Sequence, residues 1–395
     1  MPFYRTLGEI PKKRHTQFRK PDGGLYHEEL MGEEGFSDDS ALLYHLNPPT
    51  AIINSVAFDG PTSKRLPNLP LKPRHFLTHK LGNSVNDPVL GRTHMFANSD
   101  IRISYAVADQ PSPLYRNAIG DEIIYIESGS AVLESVFGTM QVGQGDHVQI
   151  PASTTHRWVP TGDQPLRTLV VETVSGGHIN PPRRYLSERG QFLEHAPYCE
   201  RDFRSPQELL VLEGTDVDVV VQHRQGWTKL TYATHPFDVI GWDGCNYPYA
   251  FNIADFEPIT GRIHQPPPVH QTFDVPGAVM CAFVPRLFDY HPQAIPAPYN
   301  HANVDSDEIL FYVGGDFMSR KGAGIEMGSI TMHPAGFVHG PQPGSVEASI
   351  GKPSTEEYAV MIDTFRPLEL CEPVFGCEDS SYAWSWSGRP PADTQ

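Results

Sequence analysis

A chain of 395 residues has room for two cores of ordinary size. Its net charge of −17 argues against nucleic acid or an anionic membrane surface as a partner. No apolar run is long enough to span a bilayer, and the first residues lack the apolar core of a secretion signal, so a cytoplasmic protein is expected.

With 38 Pro and 34 Gly, the chain predicts many turns joining short strands rather than long helices. The five cysteines are odd in number and show no CxxC spacing, which fits reduced thiols. Residues 1–50 are polar, with a turn expected at Pro21–Gly24, and residues 44–82 are expected to wrap a barrel without regular structure of their own. From about 85 to 175 the strand signal is strong. Residues 101–107 alternate with period two, and 122–127 and 130–136 read as a hairpin about Ser128-Gly129. Residues 176–235 read as a connector, in which Pro206 opens a strand run and 216–222 is the best single strand. A second unit is expected to begin near Gly241, which divides the chain into 1–240 and 241–395.

The second half carries the chemistry. Six residues separate His301 from Glu308, six more separate Glu308 from Gly315, and Pro334-x4-His339 comes after a glycine-broken stretch. Two imidazoles and one carboxylate, with coordination positions left open, suit ferrous iron used for oxygen chemistry. Asp305 and Asp307 compete with Glu308 but read better as loop residues bonding their own backbone. The pattern resembles the paired metal motifs of a cupin barrel. It also occurs twice: Asn117-x4-Glu122-x6-Gly129 matches Asn303-x4-Glu308-x6-Gly315, and Pro151-x4-His156 matches Pro334-x4-His339. The first copy has Tyr115 where the second has His301, so the first is expected to be structural, its Glu122 and His156 pairing with each other or with neighbours. The expected fold is all-β, mainly antiparallel: a bicupin of two jelly-roll-like barrels with irregular connecting segments.

The phrases NYPYAFN (246–252), PYNHANVDSDE (298–308) and HPAGFVHGP (333–341) resemble the homogentisate 1,2-dioxygenase family, most strongly from about 240 to 345. The resemblance implies an Fe(II)- and O2-dependent enzyme that opens homogentisate to maleylacetoacetate in tyrosine and phenylalanine breakdown. It implies iron on His301, Glu308 and His339, a catalytic His264, and Tyr299 and His333 lining the pocket. It also implies a homo-oligomer, a trimer or hexamer. Phe317 stands where the family carries a Tyr that contacts the substrate carboxylate, so a different hydroxylated aromatic is a further expectation, with Arg262, Arg286, Arg320 or an Arg of the first barrel as candidate replacements for the missing donor. The alternative of another class is a bicupin that binds a small ligand without turnover.

Overall fold

The computed structural model describes residues 3–81, 87–264, 267–317, 320 and 322–389. The chain is all-β and mainly antiparallel, and it forms two compact units that are discontinuous in sequence. One unit comprises Met1–Thr62, Ser84–Thr93 and Ser104–Asn252; the other comprises Ser63–Asn83, His94–Ile103 and Ile253–Gln395.

The first unit packs two sheets over one core. The strand Glu122–Ser128 pairs with Asp146–Ile150 on one side and Leu166–Thr173 on the other. The strand Ser130–Ser135 lies in a second sheet, between Gly138–Gly143 and His156–Thr161. Inward-facing side chains alternate along these strands, and Ile124, Ile126, Val148, Ile150 and Val170 of one sheet meet Leu133, Met140 and Trp158 of the other. Ser128-Gly129 is therefore not a hairpin. The chain crosses there from one sheet to the other, with Gly129 at φ +81° and no room for a Cβ, which would lie 2.7 Å from the Pro165 carbonyl oxygen.

Two further expectations are corrected. Residues 44–82 hold strands at Ile52–Phe58, Arg65–Leu66 and Arg74–Leu77. In the region read as a connector, the strand expected at 216–222 is present as Val217–His223 and pairs antiparallel with Gly226–Tyr232, whereas the run after Pro206 forms only an isolated bridge from Glu208 to Thr139. Ile52–Phe58, Arg65–Leu66 and Arg74–Leu77 are outermost strands of their sheets, and the first is largely exposed, so the local alternation is weak there. The strand Val217–His223 also makes a parallel pairing, with Tyr115–Asn117.

The second unit is built on one six-stranded sheet. Its order is Gln271–Val275, Ala278–Phe283, Tyr358–Thr364, Asp307–Gly314, Ser329–His333 and Arg74–Leu77. Phe273, Met280, Ile309, Phe311, Ile330, Met332, Val360 and Ile362 are fully or almost fully buried and form its core side. Gly315 ends the strand Asp307–Gly314 at φ +85°, where a Cβ would lie 1.9 Å from the Glu356 carbonyl oxygen.

Candidate metal centre and its cavity

The motif residues come together because their strands are neighbours. Glu308 is the second residue of the strand Asp307–Gly314 and sits across from His333 on one side and Asp363 on the other. His301 and His339 form an isolated antiparallel bridge, held by reciprocal backbone hydrogen bonds of 2.8 Å. One donor atom from each of His301, Glu308 and His339 lies within 4.8 Å of the others. His301 Nε2 is 3.8 Å from Glu308 Oε2, and His339 Nε2 is 3.4 Å from Glu308 Oε1.

The hydrogen-bond pattern sets the state of each group. His339 Nδ1 is 3.0 Å from the Phe337 carbonyl oxygen, so it carries the proton and leaves Nε2 with a free lone pair. That Nε2 is buried and hydrogen-bonds to no described residue. A lone pair facing a carboxylate oxygen across 3.4 Å is repulsive unless a proton or cation lies between. This arrangement of two imidazoles and a carboxylate fits a divalent transition metal. Burial alone would raise the Glu308 carboxyl, but the imidazoles of His301, His333 and His339 that face it outweigh that and hold it well below the usual carboxylate range.

His333 stands behind the centre and not in the wall of the cavity. Burial pushes its ring down to about 3, so it is neutral. Its Nδ1 donates to Glu308 Oε1 at 2.7 Å and its Nε2 accepts from the Tyr382 hydroxyl at 2.8 Å. The ring stacks on His339 at 4.1 Å between centroids and 12° between planes. This is the support that a ligating carboxylate needs to hold one orientation.

A cavity of about 440 Å³ opens onto His301 and Glu308. Its wall is partly apolar, with Phe283, Phe288, Leu310 and Met361, and partly polar, with His264, Tyr299, Asn303, Tyr312, Arg286, Arg320 and Asp363. His264 is partly exposed, and its ring joins Asp289 Oδ2 at 3.2 Å through Nδ1 and the Tyr299 hydroxyl at 2.9 Å through Nε2. Asn303 donates to Asp363 at 3.0 Å. Burial, then the charge of Glu308, push the Asp363 carboxyl up to about 7. Phe317 is not among the described residues of the wall; its ring packs edge-on against Tyr312 at 5.0 Å. Arg262 is likewise absent from the described wall, whereas Arg286 and Arg320 belong to it.

The matching position in the first unit is built in the same register and filled differently. Tyr115 bridges to His156 as His301 does to His339, and Glu122 sits across from Glu172 as Glu308 does from Asp363. Here the Arg92 guanidinium binds both oxygens of Glu122, at 3.0 and 2.8 Å, and approaches Glu172 at 3.4 Å. Tyr115 and Asn117 also donate to Glu122, at 2.8 and 3.0 Å. Glu122 thus pairs with neighbours, its charge answered by an internal cation, while burial keeps the His156 ring neutral. Arg92 lies outside the repeated motif, and nothing in the local sequence announces it. The same holds for Tyr382, which comes from a Ser- and Trp-rich tail.

A cupin domain model matches residues 107–172 of the chain. "Putative dioxygenase SSO1533" of Saccharolobus solfataricus is 41% identical over 390 residues, covering 98% of this chain and 99% of that protein. A homogentisate 1,2-dioxygenase of Rhodopseudomonas palustris is 25% identical over 414 residues, covering 96% of this chain and 90% of the relative. Among solved structures, a cupin 2 conserved barrel domain protein from Leptotrichia buccalis is similar at a TM-score of 0.33 and 9% identity, over 75% of this chain and 97% of that one.

Proposed function

We propose that this chain, which belongs to the bicupin dioxygenase family, holds one ferrous ion on His301, Glu308 and His339 and cleaves the ring of a hydroquinone-type aromatic acid with dioxygen. Homogentisate, opened to maleylacetoacetate in tyrosine and phenylalanine breakdown, is the substrate we favour. The observation that carries this reading is the convergence of the three donors, two of which, His301 and Glu308, line a partly apolar cavity, with His339 Nε2 buried and unbonded among the described residues.

His301, Glu308 and His339 would hold the iron, which would supply the redox chemistry that a closed-shell phenol lacks with triplet oxygen. The chain's own groups do the rest. His264 is the candidate base: with Nδ1–H directed to Asp289, Nε2 is the basic atom, and it takes the phenol proton as substrate displaces its bond to Tyr299. Tyr299 orients that ring. His333 and Tyr382 keep Glu308 facing the cavity, and the apolar side of the wall seats the arene and limits water.

The test is oxygen uptake by anaerobically iron-loaded protein with homogentisate, gentisate and a neutral alkyl hydroquinone side by side. Uptake with homogentisate and a product absorbing as an open-chain enone diacid is expected. No uptake with any of the three would replace this reading with that of a ligand-binding bicupin. His264→Phe should retain the metal and the fold and lose about a hundredfold or more in kcat; unchanged kcat would remove His264 from the mechanism, and loss of metal would make it a ligand.

A further inference from the structure

The described part of the protein buries three arginine side chains: Arg74, Arg92 and Arg320. Two of them are neutralised within the chain. Arg74 is 2.6 Å from Glu378, and Arg92 holds Glu122 in a fork and approaches Glu172. Arg320 differs. It is 5% exposed, and no carboxylate of a described residue lies within ion-pair distance of it. Its Nε donates to the Tyr312 hydroxyl at 3.2 Å, its Nη1 donates to the Gly340 carbonyl oxygen, and its guanidinium lies 5.9 Å from the Trp386 ring centroid. These partners are neutral, and Nη2 bonds to no described residue.

A guanidinium stays protonated in proteins, so burial cannot discharge it as it would a lysine. A buried cation without a counter-charge is costly, and proteins retain one where an anion arrives to meet it. Arg320 meets this condition because it is in the wall of the same cavity that opens onto His301 and Glu308. The other guanidinium of that wall, Arg286, already has Glu357 at 3.3 Å. Glu308 is committed to His333 and to the imidazole pair.

We infer that Arg320 is the residue that selects the substrate, by receiving a carboxylate carried on the hydroxylated ring. This rests on the ring-cleavage reading for its assignment to a substrate, though the anion site itself follows from the burial and lack of an acidic partner. Tyr312 and the Gly340 carbonyl fix the plane of the guanidinium and leave Nη2 to donate to a carboxylate oxygen in a charge-assisted bond. The class of substrate is thus a hydroquinone with an anionic arm, and its uncharged counterpart should be discriminated against, because it leaves Arg320 buried and unanswered.

The experiment compares 2,5-dihydroxyphenylacetate with its methyl ester, in two readouts. In oxygen uptake by the iron-loaded wild-type protein, kcat/KM for the acid should exceed that for the ester by about a hundredfold, most of it in KM. In Arg320→Gln, and less completely in Arg320→Lys, that ratio should collapse. The second readout needs no turnover: quenching of tryptophan fluorescence by the acid and by the ester in anaerobic protein, where Trp386 adjoins the guanidinium. Tighter binding of the acid in wild type, lost in Arg320→Gln, supports the anion site even if neither compound consumes oxygen, an outcome that would count against ring cleavage alone. Equal binding of acid and ester by wild-type protein overturns the inference and leaves ring cleavage standing if both are consumed. Because wild type alone supplies this comparison, a variant that misfolds does not rescue the idea.

Discussion

Single residues at the two matching sites do opposite electrostatic work. In one, His301, Glu308 and His339 converge as donors for a cation; in the other, Arg92 supplies the positive charge. Replacing Arg92 by Met should remove the guanidinium that faces both Glu122 and Glu172. The cost should be on the order of 3–5 kcal/mol, read as a lowered unfolding midpoint in urea. A midpoint equal to that of wild type would show that those carboxylates are answered by something other than Arg92. Tyr382→Phe removes the hydroxyl that bonds His333 Nε2 and so loosens the ring that holds Glu308. Metal affinity should fall about tenfold, measured by competition with a chelator, with the fold intact by circular dichroism. Unchanged affinity would mean that stacking on His339 alone keeps His333 in place.

At the scale of elements, the strand Ser40–His45 ends on a buried ring whose charge depends on two other segments. Burial opposes protonation of His45, but its hydrogen bonds to Asp238 at 2.6 Å and Glu29 at 3.0 Å, with their charges, outweigh this and push it up to about 9. A folded value above the unfolded value of about 6.5 means that the folded state binds the proton more tightly. The stabilisation is therefore fully present below about pH 6.5 and is lost as pH rises through about 9. Thermal midpoints taken from pH 6 to 10 should fall over that window, and His45→Gln should flatten the fall. His178, also pushed up to about 9, chiefly by its bond to Asp121, contributes to the slope that remains. A slope identical in wild type and His45→Gln would refute the role given to this pair.

For the whole molecule, the repeat and its asymmetry predict stoichiometry. One metal ion per chain should be found after reconstitution, because the position matching the donor set already contains the Arg92 cation and has Tyr115 for the second imidazole. Two equivalents by metal analysis would overturn this. His339→Ala should reduce the content to near zero and abolish turnover; full retention of metal would exclude His339 from the donor set.

Much of this was legible in one dimension. Strand periodicity and the abundance of Gly and Pro determine an all-β chain, because side chains alternate across a sheet and turns need those residues. The duplicated Glu-x6-Gly and Pro-x4-His spacings determine which residues can converge, because each motif is local and its turn positions its own side chains. What only the tertiary structure decided depends on distance in sequence. Gly129 looks like a hairpin turn locally, yet whether a glycine turn folds a strand back or carries it to another sheet depends on partners far along the chain. Arg74–Leu77 joins the sheet of the metal centre through Ser329–His333, more than two hundred residues away. Arg92 against Glu122, Tyr382 against His333 and the lack, among the described residues, of an acid paired with Arg320 are of the same kind: a charge has meaning only relative to what burial brings within a few ångströms of it, and no motif records that.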